Sequence, residues 1–525
     1  MLRKNIRNLR GITKVKKIVY YCGILFVLVV ILVNLLFTAR LDTSEHVEIN
    51  FNEFFYIVGA IILSIALLCI TYIFNKYLTD EDEKIKKKRK IIFIISITLY
   101  IVANITWVIF IRPAIVGDQI HACNMAQTFY RNNLEEFLPN LTYAGIPLSE
   151  YMQAYHQQIS LAFVFSLFFR IIHFDGIGVL RVLNVIGNIA IVFALYKITM
   201  QISKKYKTNK VRMFSMILTF FSLIMAATFI YGDIPGLALC LWATYFMMKY
   251  SETKKINYPI IASIFTMIAY MMRMNNLIFI IATVIYLFLN LFNEIKSKSV
   301  KEKLINAGVI AMYIIVSIIP AGIVKNYYLD KYNMDKTKEY PNISYFYMAM
   351  EESWRGNGWY NEDIGEPALR NPEEKKVEYK EKIKERLQYF GNHPGYTIDF
   401  YTKKIASMWA ETTYSQIRNN MVGEDFWLEK MTEPLEFYQK ALVLLIFGCT
   451  LVVLIQNRKN LSIDVIFLLT IFAGGFAFHI LWEAKSRYIM PYLISLIPIA
   501  SIEIKKIKIC RIKGEKNKWV QIDYL

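Results

Sequence analysis

The sequence is short of the features that would make it soluble, nucleotide-driven or metal-built. Its six cysteines show no metal-ligand spacing, and Cys22, Cys69, Cys240 and Cys449 lie inside apolar runs, so neither a zinc site nor a disulfide framework is expected. No Walker and no G-x-G-x-x-G pattern occurs, and the basic connections between apolar runs are too short to hold a nucleotide-binding domain, which argues against ATP-driven transport. No ionisable residue stands near the middle of an apolar run and no inverted repeat is evident. Both absences weigh against a transporter or flippase of a lipid-linked anion. What is present is apolar surface: 55% of the 525 residues are hydrophobic and the mean hydropathy is positive, the composition of a polytopic membrane protein. The net charge of +19 sits in clusters between apolar runs, not on one face, so no nucleic-acid partner is expected. Abundant Ile, Lys and Asn point to an AT-rich bacterial genome.

Apolar runs fall at about residues 18–38, 54–75, 91–111, 178–200, 211–231, 235–250, 257–272, 276–293, 305–325, 437–455, 462–482 and 489–503, which predicts an all-α membrane protein of about twelve transmembrane helices. The first run lacks a small-residue cleavage pattern and reads as a retained span. A thirteenth run, Ile159 to Phe174, is short for the ~20 residues a crossing needs. If it does not cross, the basic segments Arg3–Lys17, Lys84–Lys90, Lys204–Arg212, Lys249–Lys255, Lys296–Lys303, Arg458–Lys459 and Lys505–Lys518 all share one side. By the orientation bias that side is the cytoplasm, with both termini in it. The run therefore reads as an outer juxtamembrane helix. The acidic run Asp80–Glu83 contains a D-x-D, but it adjoins cations on the cytoplasmic side and reads as a solvated helix start. The resulting divisions are an N-terminal transmembrane hairpin (1–90), a core (91–325) with its first outer loop at 112–178, a small, mainly helical outer domain (326–436), C-terminal spans (437–503) and a basic tail (504–525). Within the outer domain, Pro372 to Phe390 predicts an amphipathic helix with Val377, Ile383, Leu387 and Phe390 on one stripe.

Polar residues recur where these runs end on the outer side. Asp118 follows the third run and precedes an amphipathic stretch, Gln119 to Tyr130. It reads as a helix cap or as a chemical group, since Asp is a favoured cap and a carboxylate at a membrane surface otherwise needs a reason. Tyr231, Gly232, Asp233, Ile234 and Pro235 form one turn, Arg273 with Asn275 and Asn276 another, and Trp482, Glu483, Lys485, Arg487 and Tyr488 the last. Interfacial anchoring accounts for any one of the aromatics. Two carboxylates and several cations gathered at one depth suit an anionic ligand.

In order and spacing these motifs resemble the GT-C integral membrane glycosyltransferases, in the branch of the protein O-mannosyltransferases and the lipid A aminoarabinose transferase. The resemblance rests on Gly117-Asp118-Gln119 in the first outer loop, the helices Ile120–Asn133 and Gln157–Phe174, Asp233, Arg273, and Arg487-Tyr488 before Pro491. Two departures stand out: Gln119 where the family often has a second carboxylate, which puts a bridged metal in doubt, and the additional hairpin Met1–Lys90. The resemblance implies a sugar donor carried on a polyprenyl phosphate and an envelope glycan, lipid or protein as acceptor. Asp118, with a divalent metal as an open question, would act as base in an inverting transfer. Arg273, Lys485 and Arg487 would neutralise the departing phosphate, Asp233 would orient sugar or acceptor, and Tyr488 would line the site. His121, one turn from Asp118, reads as an assisting group or a satisfied interface histidine. Trp354, Trp359 and Trp409 read as sugar-stacking surfaces or as ordinary packing. The flippase and an O-antigen-type polymerase or ligase stay as rival functions.

The topology is open to cysteine labelling. A cysteine placed at Lys207 is expected to resist an impermeant reagent in intact cells, and its reaction would invert every assignment after residue 157.

Overall fold

Apolar segments in a bilayer satisfy their backbone only as helices, and the chain is built accordingly. The computed structural model describes residues 2–78, 82–133, 142–143, 146–293, 299–421 and 426–505. Asp80 and Glu81 of the acidic run, Lys296 and the tail from 506 lie outside the described residues. In order the chain runs α1 (Leu2–Leu36), a hairpin of β1 (Phe37–Leu41) and β2 (Val47–Phe51), α2 (Phe54–Leu78), α3 (Glu83–Phe110), α4 (Asp118–Arg131), α5 (Leu148–Ala154), α6 (His156–Ile172), α7 (Ile177–Ile202), α8 (Lys210–Leu218), α9 (Phe221–Met225), α10 (Asp233–Thr253), α11 (Asn257–Met272), α12 (Leu277–Asn293) and α13 (Val300–Lys331). Then follow α14 (Ile343–Met348), α15 (Glu362–Arg370), α16 (Pro372–Asn392), α17 (Pro394–Trp409), α18 (Gln416–Met421), α19 (Phe426–Gln456), α20 (Ile463–Leu481), α21 (Met490–Ile494) and α22 (Ile497–Ala500).

Eight of the described helices are long and apolar enough to cross a membrane, or nine if the pair α8 and α9, bent by 45°, counts as one span. The three further runs expected from the sequence are helical but differ in kind. Residues 235–250 lie in α10, which is charged at both ends, and 257–272 form the 16-residue α11. Residues 489–503 are split into α21 and α22, each with a proline in its first turn, where the missing N–H is tolerated at a helix start but not inside one. The short run stays at one end of the bundle. Arg181, one turn into α7, donates from Nη2 to the carbonyl of Pro113, just past α3, at 2.9 Å. The segment between them therefore leaves and returns at the same end.

The break after α9 is where the fold is most exposed to cost, because an interrupted helix in an apolar bundle leaves peptide groups without partners. Asparagines fill the gap. Asn184 Nδ2 reaches the carbonyls of Ala227 (3.1 Å) and Phe229 (2.9 Å), and Asn420 Nδ2 reaches that of Met225 (3.2 Å). Asn188, fully buried, links α7 to Asn104 of α3 (2.7 Å) and to the carbonyl of Leu223 (2.6 Å). These bonds fix the chain that continues into residues 229–233.

The N-terminal hairpin is part of the same body. Val27 and Val30 are fully buried in the main core, and α1 packs on α19 and α20 while α2 packs on α19. Asn34 donates to the carbonyl of Trp409, and Lys440 of α19 to the oxygens of Phe37 and Thr38. Segment 332–421 covers the same end with short helices. On α16 the buried face is Tyr379, Ile383, Arg386 and Phe390, whereas Val377 and Leu387 are exposed. The apolar stripe expected from the sequence is thus rotated. Tyr379 gains a hydrogen bond to the carbonyl of Ile364 and the Arg386 stem packs while its head reaches the carbonyl of Met350, so these amphipathic side chains displace two aliphatic ones.

Lys404 of α17 fastens this cover to the bundle. It is wholly buried, and its ammonium donates to the carbonyls of Ala349 (2.7 Å), Ile480 (2.8 Å) and Trp482 (3.0 Å). Burial lowers the Lys404 pKa to about 7, so near neutral pH its charge is only partly held. Lys404→Met removes three hydrogen bonds and strands their acceptors, and a loss of about 3 kcal/mol is expected. Thermal unfolding in detergent reads it directly; an unchanged midpoint would show that the contact carries no net stability.

Candidate active site

Asp118 is held by side chains that the linear sequence keeps far away. Gly117, at φ 59° and ψ −138°, turns the chain into α4 through a region of backbone space essentially reserved for glycine. Asp118 opens that helix, but the cap position belongs to Gly117 and no side chain caps the helix. The carboxylate instead accepts the hydroxyls of Tyr151 (to Oδ1, 2.8 Å) and Tyr231 (to Oδ2, 2.8 Å). Of the two readings the sequence leaves open, the cap is therefore removed. Both tyrosines are buried, and burial first and the Asp118 charge second push their hydroxyls well above the ordinary phenol range, so they stay protonated donors. Asp118 itself is exposed. Gln119 is buried and turned the other way: its Oε1 accepts the amide of Ile230 at 2.8 Å and so ties α4 to the residue before Tyr231.

Tyr231 joins this carboxylate to the cations. Its hydroxyl also accepts from Gln158 Nε2, and its ring lies 4.4 Å below the Arg273 guanidinium and 5.0 Å from that of Arg487. The next residue has to be glycine. Gly232 sits at φ 76°, and a Cβ there would meet Leu161 Cδ1 at 2.8 Å and the Met272 carbonyl at 3.1 Å. Asp233, at the start of α10, pairs through Oδ1 with Arg273 Nε at 3.1 Å, and its buried Oδ2 has no hydrogen-bond partner among the described residues. Burial works against charge on Arg273, and Asp233 outweighs it to raise the pKa. Arg487 is flanked by Phe229 (4.8 Å), Tyr231 and Tyr488 (5.2 Å), and forms no ion pair among the described residues.

Other expected residues stand differently. Lys485 is already engaged, 3.6 Å from Glu45 Oε2 and 3.9 Å from Glu483 Oε1. His121 is buried and stacked on Tyr151 with ring centroids 4.0 Å apart, and burial lowers its pKa, so it backs the tyrosine instead of facing a phosphate. Trp409 is a correction: it is buried among Phe447, Phe472 and Phe476, where its ring has no sugar to meet. Trp359 is buried too, leaving Trp354 as the exposed ring of the three. Sequence reasoning missed Tyr151, Glu45, Arg355 and Arg418. Tyr151 lies in a stretch whose only signal is its juxtamembrane position, and Glu45 in a hairpin outside the family pattern. No group of three His, Cys, Asp or Glu side chains converges on a metal position among the described residues. With Gln119 turned to Ile230, Asp118 also lacks the second oxygen ligand that a bridged ion requires.

Residues 157–320 match the model of the dolichyl-phosphate-mannose-protein mannosyltransferase family. The chain resembles a GT-C glycosyltransferase. The matched stretch includes Gln158, Tyr231, Asp233 and Arg273 but neither Asp118 nor Arg487. Among solved structures, the archaeal oligosaccharyltransferase AglB from Archaeoglobus fulgidus, in complex with an inhibitory peptide and a dolichol-phosphate, is 12% identical with a TM-score of 0.39, covering 78% of this chain and 50% of that one. An oligosaccharyltransferase from the same organism, tethered with an acceptor peptide, gives 10% identity and a TM-score of 0.39, over 78% and 49%. This chain thus spans about half the length of the oligosaccharyltransferases it matches. No curated protein matches it.

Tyr231→Phe keeps the ring under the two guanidiniums and removes the hydroxyl that serves Asp118 and Gln158. A stability loss of about 1 to 3 kcal/mol is expected, chiefly from the buried Gln158 amide left unpaired, since Asp118 is exposed and keeps Tyr151. Tyr488→Phe, whose hydroxyl makes no hydrogen bond among the described residues, should cost far less in the same thermal melts; equal costs would deny Tyr231 its linking role.

Proposed function

We propose that the chain is a membrane glycosyltransferase that moves a sugar from a polyprenyl-phosphate donor to a hydroxyl of an envelope glycan, lipid or protein, at the outer face and with inversion. The observation that carries this reading is one exposed carboxylate, Asp118, held by Tyr151 and Tyr231, with the unpaired Arg487 stacked on the second of those tyrosines. Base and phosphate acceptor are thereby set apart by one aromatic ring, which suits a displacement in which the proton leaves on one side and the phosphate on the other. Asp118 takes the acceptor proton as the acceptor oxygen bonds to the anomeric carbon. The bond from that carbon to the phosphate oxygen breaks, and the electron pair leaves with the polyprenyl phosphate. Arg487 meets the charge that grows there, and aromatic walls around it keep water away and strengthen the attraction. Asp233, with Oδ2 unpartnered, orients a sugar or acceptor hydroxyl. The basic connections at the opposite end support the outward assignment.

Replacement of the base and of the phosphate acceptor tests the reading. Asp118→Asn keeps the size of the side chain and one of the two tyrosine hydroxyl contacts on its single amide oxygen, the NH2 facing the other hydroxyl's oxygen, yet transfer should fall by about a hundred to ten thousand fold. Arg487→Ala should weaken use of the donor by about ten to a hundred fold, the worth of a charge-assisted contact. The assay is transfer from polyprenyl-phosphate sugar in liposomes. Near-normal transfer by a folded Asp118→Asn protein would remove Asp118 as the base, and no transfer by the wild type, with the lipid moved between leaflets instead, would sink the transferase and favour the flippase.

A further inference from the structure

Five cations gather at the candidate site, and their pairing is uneven. Arg273 belongs to Asp233. Arg355, Arg418 and Lys485 converge on a single carboxylate, Glu45, at 2.8 Å (Nη1 to Oε2), 3.3 Å (Nη1 to Oε1) and 3.6 Å (Nζ to Oε2). Arg355 also pairs with Glu362, and Lys485 approaches Glu483. Arg487 lies close enough to feel Asp233, Glu45, Arg418 and Lys485 electrostatically, but forms no ion pair among the described residues.

Glu45 comes from the turn between β1 and β2, in the N-terminal hairpin that has no counterpart in the motif pattern of the resembled family. The turn is built to deliver it. Asp42 accepts the amides of Ser44 and His46, which close the loop, and Glu45 takes φ 72°, an uncommon conformation for a residue with a side chain. The hairpin is anchored on the cover through Val47, whose amide donates to the Arg355 carbonyl at 2.8 Å, and Arg418 holds the Thr43 carbonyl at 3.1 Å. Burial disfavours the Glu45 carboxylate, and the surrounding cations more than compensate, holding its pKa at about 2. It is therefore a fixed negative charge at every pH of interest.

We propose that Glu45 sets the charge selectivity of the phosphate site: by committing Arg355, Arg418 and Lys485 to itself, it leaves Arg487 to the ligand, so the site takes a phosphodiester of one negative charge and discriminates against a diphosphate of two. This rests on the transferase reading for the identity of the ligand, but not for its measurement. A second phosphate would need a second uncommitted cation; Arg273 stays with Asp233, and the other three are held by Glu45. Removing the Glu45 charge frees them without touching Arg487.

The test uses binding by the full chain in detergent, with two probes: an isoprenyl methyl phosphate carrying one negative charge and the matching isoprenyl methyl diphosphate carrying two. The wild type should bind the diphosphate no more tightly than the monophosphate. Glu45→Gln should tighten the diphosphate by about ten to a hundred fold and change the monophosphate by no more than about threefold, the released contact being charge-assisted. Arg418→Gln in that background should return the ratio to the wild-type value. An unchanged ratio in a folded Glu45→Gln protein overturns the proposal, as does equal weakening of both probes, which would make Glu45 a scaffold only. Arg418→Gln alone keeps the question decidable should Glu45→Gln misfold. It should leave monophosphate binding near the wild-type value, and a loss as large as that of Arg487→Ala would make Arg418 a direct ligand and overturn the inference. Because no transfer is measured, a failed transferase reading would show as lost turnover chemistry with this binding pattern intact.

Discussion

The contact between the Tyr231 hydroxyl and Asp118 is the one on which the candidate site depends, because Tyr231 is shared by everything else there. Its hydroxyl holds one oxygen of the carboxylate, and its ring carries both Arg273 and Arg487. A tyrosine can serve two such groups at once because its polar edge and its π-face are different surfaces, with hydrogen bonding at one and cation attraction at the other. The carboxylate and guanidiniums are kept from collapsing onto each other by the width of the ring. A direct Asp118–Arg487 ion pair would cancel both charges that the proposed reaction uses.

Placing Tyr231 requires the preceding helix to end early, and an early end inside an apolar bundle is costly. The buried asparagines answer that cost: Asn184 for Ala227 and Phe229, Asn420 for Met225, with Gln119 taking the amide of Ile230. Gln119 thereby explains why a non-ionisable residue stands beside Asp118. A carboxylate at position 119 would be buried facing a single backbone donor, whereas the amide satisfies the contact without charge.

The sequence made the helical, membrane-spanning character legible, because run length and hydropathy act locally. It also singled out turns that the fold brings together, since Asp118, Asp233, Arg273 and Arg487 meet at one end of the bundle. It could not show which cations are spent. Lys485 and Arg487 are two residues apart and equally basic on paper, yet one faces Glu45 from a hairpin more than four hundred positions away while the other faces aromatic rings. Trp409 was misplaced for a related reason. An indole beside a polar outer segment looks available until the long-range packing of Phe447, Phe472 and Phe476 encloses it. Period and composition report which face of an element is apolar, but pairing between distant elements is set by tertiary geometry.

Four cations crowded without carboxylates would repel one another and would bind any polyanion at a membrane surface. The fold instead brings a carboxylate to each of Arg273, Arg355, Arg418 and Lys485, and draws the shared one, Glu45, from the turn between β1 and β2. That hairpin is held by polar contacts deep in the bundle, with Asn34 on the Trp409 carbonyl and Lys440 on the oxygens of Phe37 and Thr38. Such anchoring makes sense for a group whose position has to be as fixed as the cations it neutralises. A carboxylate on a loose loop would spend part of its time away, and the charge presented to a ligand would fluctuate with it. Rigidity in α1, α2 and α19 is therefore a condition for a site whose net charge is set by one residue, and it gives the N-terminal hairpin a physical reason to pack as core instead of peripherally.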